Sequence, residues 1–545
     1  MPIDGFIEPN KEDAEKYTSR GWWEGITVAD ILDKAAESHP DKEALADGLH
    51  RFTYSQLRDK ADRLAVGLLK TGIKRGDVVM VQLPNWAEFA IAFFALHKIG
   101  APAVLILPRH MQLEINHLCG MTRAKAWILP VSYRKTDYLP IIKAVRKANP
   151  HLEHIISVRS GKDSPFTSFE DLIEKSDLSP ENMEAISKNR PDPGTVAIVL
   201  ATGGTTGLPK AVPRTHNSLV CETRYKTEAR RQDSTDTCLI AVPLEHNLGL
   251  AGLESTVYSC GRTVLLDSTK PEDFCETIEK EKVTRAPIVP TMLTRLAGYS
   301  GLDRYDLSSL QALYVGGAKT QPEVIESIYT KIGKVYVSAF GMSEGPSCTT
   351  HLDDDPDIIF NTIGKSCCPH DVFMTVDENG NKTETGAEGE LLVKGPGLFS
   401  GYLNNPEENK RAFTSEGYFR TGDLASIDSE GNVRITGRIK DIIIRGGENI
   451  SPAEMETLII QHPGVEEVVV IGLPDDELGE KACACIIPAN GPGPTLEDIV
   501  GFLKSSGASV LQLPERVETI SEVPLTKIGK PDKIALRKTV IALRS

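Results

Sequence analysis

The chain has 545 residues, and what it lacks narrows its class before any motif is read. No run of 18 or more apolar residues occurs. The nearest, Phe89 to Leu107, is broken by His97 and Lys98, so no membrane span is expected. Basic charge is not in excess. A formal net charge of -15 argues against a nucleic-acid partner, whose phosphates are met by clustered Lys and Arg. Ten cysteines are scattered without a C-x-x-C pair, although Cys367 and Cys368 are adjacent and Cys483 and Cys485 lie two apart. Reduced, mostly buried thiols fit this pattern better than a metal or disulfide framework. The opening residues, Met1 to Gly5, have neither a basic nor an apolar signal region, and the last three are not Ser-Lys-Leu. A cytoplasmic location is therefore expected. There is no internal repeat and no low-complexity segment. With 40% hydrophobic and 25% charged residues, the composition is that of a globular protein with material for more than one core.

Against this ordinary background one stretch stands out: Ala201-Thr-Gly-Gly-Thr-Thr-Gly-Leu-Pro-Lys210. The apolar run Val196 to Leu200 predicts a strand opening into a loop of three glycines, three threonines and one cation. Such a loop offers backbone N–H groups, hydroxyls and an ammonium to a polyphosphate. It is not the loop of P-loop kinases. Gly204 lies six residues before Lys210, but Pro209 replaces the second glycine, and Ala211 stands where a metal-binding hydroxyl is required.

Elsewhere, short apolar runs alternate with amphipathic helices. Strands are expected at Val78 to Gln82, Ala103 to Ile106, His154 to Ser157, Thr263 to Leu266 and Ala312 to Val315, with a helix over Trp86 to His97 and a helix start at Thr27. This rhythm predicts an α/β fold of parallel sheets covered by helices. After about Asn361 the texture changes to short strands and glycine-rich turns, Glu390 to Val393 and Asn432 to Ile435 among them, which predicts a β-rich subdomain. Gly437 to Asp441 reads as an exposed connection. A small α+β unit follows, with helices from Pro452 and Leu496 and strands at Val468 to Ile471 and Ala482 to Ile487. The expected domains are therefore 1–439 and 440–545. Gly395-Pro-Gly397 with Gly401 imitates a dinucleotide fingerprint but has the wrong spacing, and reads as a β-turn region.

The Thr202 to Lys210 loop resembles the phosphate-binding signature of the adenylate-forming superfamily of acyl-CoA synthetases, peptide-synthetase adenylation domains and luciferases. Further segments resemble the superfamily's other motifs in their order: Gly316-Gly-Ala318, Ala339-Phe-Gly-Met-Ser-Glu344, Tyr418 to Asp423, Gly437 to Asp441 with Arg445 to Asn449, and Pro524 to Lys530. The resemblance runs from about Leu32 to Arg537. It implies ATP, Mg2+ and CoA as cosubstrates and cofactors, and a mobile C-terminal domain.

The implied chemistry is attack of a carboxylate on the α-phosphate of ATP, giving an acyl-adenylate and pyrophosphate. Two anions must meet, so charge neutralisation and positioning dominate. Lys530 is the expected cation between carboxylate and α-phosphate; a solvated surface lysine is its bland alternative. Glu344 is the expected magnesium ligand, because Mg2+ bound to phosphates takes one or two protein carboxylates. A helix-start carboxylate is the alternative there. Thr202, Gly203, Gly204, Thr205, Thr206 and Lys210 are expected at the phosphates, with Thr206 and Ser343 supplying hydroxyls. Gly316, Gly317 and Ala318, with Ala339, Phe340, Gly341 and Met342, are expected around the adenine. Asp423 matches the ribose acceptor, and Arg438 is expected at ribose or phosphate. Lys440 is expected to be the hinge, and Gly446 and Gly447 to line a thiol tunnel.

Pro243 to Gly252 speaks most about the acid. Together with Leu107 to His110 and Pro213 to His216, it resembles the 2,3-dihydroxybenzoate–AMP ligase branch. His246, Asn247, Leu248, Gly252, Gly316 and Gly341 are the expected acid-binding residues, His246 also being a catalytic candidate. In that branch a small polar residue normally stands where this chain has Gly252, and an aromatic where it has Leu248. Leu248, Gly249, Leu250 and Gly252 are expected to give a roomy apolar space, favouring a cyclic monocarboxylate, aromatic or alicyclic, over a catechol. The branch usually carries lysine at the place of Asn449, so CoA is the favoured acceptor. Two other readings stay open: a stand-alone adenylation enzyme loading a carrier protein, and a non-catalytic adenylate-binding protein. Oligomeric state is not readable, and a homodimer remains a partner state to be tested.

Overall fold

The computed structural model describes residues 3–161, 164–202, 209–445, 448–475, 479–506, 508, 512–526 and 530–542. Its chain groups into two units, one of Met1–Val372 with Lys394–Ala412, the other of Phe373–Val393 with Phe413–Ser545.

The first unit contains the expected parallel sheets. Among the described residues one sheet has seven strands, in the order Lys210–Thr215, Val196–Thr202, Ala103–Leu105, Val79–Val81, Ala126–Pro130, His154–Val158 and Thr167–Ser168. All neighbours are parallel except the first pair. Strands buried on both faces need apolar residues throughout, which explains the unbroken runs in the sequence. Val79, Met80 and Val81 are all fully buried. The second sheet has nine strands. Its parallel interior comprises Tyr336–Met342, Ala312–Gly316, Arg285–Ile288, Thr237–Ile240, Arg262–Leu265 and Glu43–Ala46, with antiparallel strands at both edges.

Local signals place the helices as expected. Thr27 caps the helix Val28–Ser38, its N–H and hydroxyl both donating to Asp30 Oδ2 at 2.6 and 2.7 Å. The helix Ala87–Lys98 is buried on every side, so it carries almost no amphipathic stripe. Its last residue, Lys98, is 1% exposed and pairs with Asp33 at 2.5 Å and Asp62 at 2.7 Å. Two carboxylates from two other helices compensate the desolvated ammonium and fix how the three helices pack.

In the second unit a four-stranded antiparallel sheet, Val372–Val376, Gly389–Lys394, Phe419–Ile427 and Val433–Arg438, accompanies a five-stranded one. The long strands Val465–Asp475 and Gly479–Pro488 are apolar on both faces. Val468, Val470, Ala482 and Ala484 pack under the helices Pro452–Ile459 and Leu496–Ser505. Val469, Ile471, Cys483 and Cys485 pack under the helix Lys533–Ala542. Each helix covers one register of the same strands. The expected exposed connection is shorter than the sequence suggests. Gly437 and Arg438 end a strand, and only the single 3-10 turn Ile439–Asp441 lies outside it.

All ten cysteines are free thiols, and nine of them are buried. Among the described residues no helix is long and apolar enough to cross a membrane.

Candidate active site

In the first unit the expected site residues collect at the C-terminal ends of the parallel strands, the usual ligand-binding edge of such sheets. Gly316 ends the strand Ala312–Gly316 and lies opposite Ala339 in the next strand. Gly317 follows with φ +105°, a left-handed conformation that favours glycine, and Ala318 is exposed. Phe340 is half-buried and Gly341 exposed near the end of Tyr336–Met342.

Ser343 and Glu344 form the turn between this strand and the antiparallel Gly345–Thr349. The helix-start alternative for Glu344 is therefore overturned. A serine followed by an acid suggests a cap, but strand pairing on both sides wins. Gly345 closes the turn at φ +145°, with the Gly397 carbonyl so near that a side chain there would collide with it.

The turn is held from three directions. Arg214, fully buried, donates from Nη1 to the Ser343 carbonyl at 3.1 Å and from Nη2 to the Gly397 carbonyl at 2.7 Å. The Phe399 N–H donates to the Glu344 carbonyl at 2.7 Å. The Tyr402 hydroxyl donates to Glu344 Oε1 at 2.7 Å. Burial first, then Glu344, raises the Tyr402 pKa far above the usual phenol range, so this group stays a donor.

Lys210 begins the strand Lys210–Thr215, opposite Thr202, whose hydroxyl donates to the Lys210 carbonyl at 3.4 Å. Its ammonium pairs with Glu408 and lies 4.6 Å from the centre of the Tyr402 ring. Gly203, Gly204, Thr205 and Thr206 lie outside the described residues, as do Gly446 and Gly447.

The segment expected to bind the acid is built around the helix Asn247–Tyr258. His246 caps it, Nδ1 accepting from the Leu248 N–H at 3.3 Å. Asn247 donates from Nδ2 to the Met342 carbonyl at 3.1 Å, tying the helix start to the Glu344 hairpin. Leu248 faces Gly316, where a methyl would meet its Cδ1 at 3.4 Å. The expected roominess of this segment is not found at its glycines. A side chain on Gly249 would strike the Pro243 carbonyl, and one on Gly252 would meet Ile240 and Pro287 at 3.2 Å. Leu250 is fully buried in the core. These glycines let the helix approach its neighbours closely, and hydrocarbon fills the space beside Gly252.

In the second unit Asp423 is 3% exposed, and Arg438, its register partner in the adjacent strand, donates from Nε to its Oδ1 at 2.7 Å. Burial raises the Asp423 pKa, while Arg438, Lys530 and Lys440 pull it down. Four expected site residues thus share one electrostatic neighbourhood.

Sequence reasoning missed Tyr402, Glu408 and the structural part of Arg214. The signal was present in Gly395-Pro-Gly397, dismissed as an imitation of a fingerprint. It is indeed a turn, with the Leu398 N–H donating to the Gly395 carbonyl at 3.1 Å, and its glycines let the main chain pass over Asp371 and Glu222.

The family evidence agrees with this geometry. The AMP-binding enzyme family matches residues 32–403, and the AMP-binding enzyme C-terminal domain matches residues 454–530. The chain is 36% identical to the 2,3-dihydroxybenzoate-AMP ligase of Bacillus subtilis strain 168 over 540 residues, 99% of this chain and 98% of that protein. It is 35% identical to the 2-hydroxy-7-methoxy-5-methyl-1-naphthoate--CoA ligase of Streptomyces carzinostaticus, over 98% of this chain and 96% of that protein. The apo structure of Mycobacterium smegmatis MbtA superposes with a TM-score of 0.74 at 34% identity, covering 98% of both chains. The chain belongs to the AMP-binding enzyme family, within the adenylate-forming superfamily of AMP-forming ligases.

Behind the Glu344 turn lies a buried charge cluster with a consequence for pH. Arg214 and Lys226 face Glu222, Glu254 and Asp371. Two cations face three carboxyls, so ionising all three would leave a buried negative charge unbalanced. Burial pushes Glu254 and Asp371 each up to about 8. Both lie above their unfolded values, so the stability they contribute is complete below the ordinary carboxylate range and is lost as pH rises through about 8. The melting temperature is expected to fall between about pH 5 and about pH 8 and to level off above it. Glu254→Gln, which keeps a neutral side chain of the same shape, should flatten that fall. A profile as steep in Glu254→Gln as in the parent protein would refute the assignment.

Proposed function

We propose that this protein activates a cyclic monocarboxylic acid, aromatic or alicyclic, as its adenylate and transfers the acyl group to CoA. The carboxylate oxygen attacks the α-phosphorus of ATP and pyrophosphate leaves. The thiol then attacks the acyl carbon and AMP leaves, the thiol proton passing to solvent. The observation that carries the reading is the bond between Asn247 and the Met342 carbonyl. It joins the acid-binding helix to the hairpin that bears Glu344, with Gly341 between them.

In this reading Lys210, Thr202 and the loop 203–206 bind the phosphates, and Phe340 with Gly316 to Ala318 flanks the adenine. Asp423 accepts from the ribose hydroxyls, with Arg438 beside it. Lys530 brings carboxylate and α-phosphate together. Glu344 is the one carboxylate offered to Mg2+, and a phosphate-bound magnesium ion takes one or two such ligands, so the donor set fits. When bound, that ion supplies charge neutralisation at the phosphates. Every other role falls to the chain's own groups.

The ring preference rests on Gly252, which offers no hydrogen-bonding side chain where the 2,3-dihydroxybenzoate branch carries a small polar residue. A ring hydroxyl directed there loses its water without gaining a partner. The Bacillus relative is named for its adenylate and the Streptomyces relative as a CoA ligase, so these names support activation through an adenylate and leave the acceptor to be chosen on other grounds. CoA is favoured here by Asn449. Loading of a carrier protein is the second reading, and supplying CoA alone separates the two.

Three measurements test these assignments. In a pyrophosphate-exchange screen, unsubstituted cyclic acids should exceed 2,3-dihydroxybenzoate in kcat/KM by about tenfold, the factor one missing buried hydrogen bond carries. Preference for the catechol, or for long linear acids, would reject the ring assignment. Lys530→Ala should slow adenylate formation by about 10²–10³ while sparing thioester formation from a synthetic adenylate. Equal damage to both halves would give Lys530 a structural role.

The last concerns Lys440 as the pivot between two domain arrangements, one for each half-reaction. Proline fixes φ and restricts the preceding residue, so Lys440→Pro should preserve pyrophosphate exchange and abolish thioester formation, whereas Lys440→Ala should be mild. Normal thioester formation by the proline variant would end the hinge assignment.

A further inference from the structure

Tyr402 has two chemically different sides, and each is occupied by a group assigned above to the nucleotide. Its hydroxyl donates to Glu344 Oε1 at 2.7 Å. The face of its ring carries the Lys210 ammonium 4.6 Å from the centroid, and Glu408 pairs with the same ammonium. The tyrosine is 5% exposed, whereas the side chains of Lys210 and Glu408 are 35% and 33% exposed, so the ring is the buried partner of the ammonium.

The residue is also fixed in the chain. Its N–H donates to Asn409 Oδ1 at 2.7 Å, and Asn409 Nδ2 donates to its carbonyl at 2.8 Å, so one amide side chain pins both main-chain groups. Next along, the Leu403 N–H donates to the Ala211 carbonyl at 3.0 Å, adjacent to Lys210. Phe399 packs edge-on against the Tyr402 ring at 4.9 Å while its own N–H holds the Glu344 carbonyl.

We propose that Tyr402 is a positioning residue for the nucleotide: its hydroxyl orients the Glu344 carboxylate, and its ring holds the Lys210 ammonium. With Oε1 occupied by the phenol, Glu344 presents Oε2 as its less engaged oxygen. With its ammonium between a ring and a carboxylate, Lys210 is kept extended and partly desolvated. One rigid aromatic thereby sets the separation between an anion and a cation that address the same polyphosphate. The inference rests on the assignment of Glu344 to magnesium and of Lys210 to the phosphates.

The test is calorimetric binding of ATP, with excess Mg2+ and with EDTA, to the full-length protein and three variants whose melting curves are recorded alongside. Tyr402→Phe keeps the ring and loses the hydroxyl. It should weaken binding of Mg–ATP by about tenfold while leaving metal-free ATP unchanged, as expected for one lost charge-assisted hydrogen bond. Tyr402→Leu removes the ring as well and should also weaken metal-free ATP. Phenylalanine therefore restores one arm of the measurement and not the other, a split that loss of packing alone would not produce. Glu344→Gln is the reference. If it abolishes the gain from Mg2+ while Tyr402→Phe binds Mg–ATP like the parent protein, the positioning role is wrong and the magnesium assignment stands. If Glu344→Gln keeps the full gain, the magnesium assignment itself falls, and the inference with it.

Discussion

The first unit depends on one buried cation. Arg214 has no exposure to water, and removing a guanidinium from solvent costs several kcal/mol unless its donors are used. They are used on main chain: the carbonyls of Ser343 and Gly397, with Ser218 Oγ at 3.3 Å and Glu222 3.5 Å away. A lysine could not make these contacts, because the fork of a guanidinium reaches two carbonyls in fixed directions. The hairpin carrying Glu344 and the turn carrying Gly397 are thus clamped to one point. Phe399, two residues beyond Gly397, then reaches back to the Glu344 carbonyl with its N–H.

The clamp also explains why acids accumulate behind it. Glu222 balances Arg214 and pairs with Lys226 at 2.8 Å, and Glu254 and Asp371 are held near neutrality by burial. With Glu254 and Asp371 protonated, two cations face one carboxylate, so the cluster carries no net negative charge to repel a polyphosphate. It also has no room to relax, because Gly395 and Gly397 bring the main chain directly onto Asp371 and Glu222. Low net charge and tight packing together make a rigid floor under a flexible chemistry.

Much of this was legible in the sequence, and the part that was not has a physical reason. Parallel strands, their covering helices and the two-faced strands of the second unit follow from period and apolar content, which are local. Asp423 and Arg438 were legible only through the superfamily motifs they resemble, and the antiparallel register is what sets them side by side. Tyr402 was not. Its hydroxyl meets a residue 58 positions away, and the Lys210–Glu408 pair spans 198. No periodicity encodes such contacts. Glycines misled in a different way. In Pro243 to Gly252 they suggested space for a ligand, but at Gly249 and Gly252 that space is filled by the Pro243 carbonyl, Ile240 and Pro287. A glycine announces that something comes close, and the sequence does not say whether it is substrate or protein.

The two groups of site residues answer opposite electrostatic problems. In the first unit an acid and a base, Glu344 and Lys210, stand on either side of one aromatic, an arrangement suited to a metal-bound polyphosphate that offers both signs of charge. In the second unit one buried acid faces three cations. For the ribose role proposed for Asp423, its carboxyl must be ionised to accept from two hydroxyls, yet burial favours the neutral form. Arg438, Lys440 and Lys530 each oppose that effect. The same cations are the ones proposed to handle phosphate, hinge and carboxylate. Movement of Lys530 away from Asp423 would therefore raise the carboxyl's pKa further and weaken its hold on a ribose.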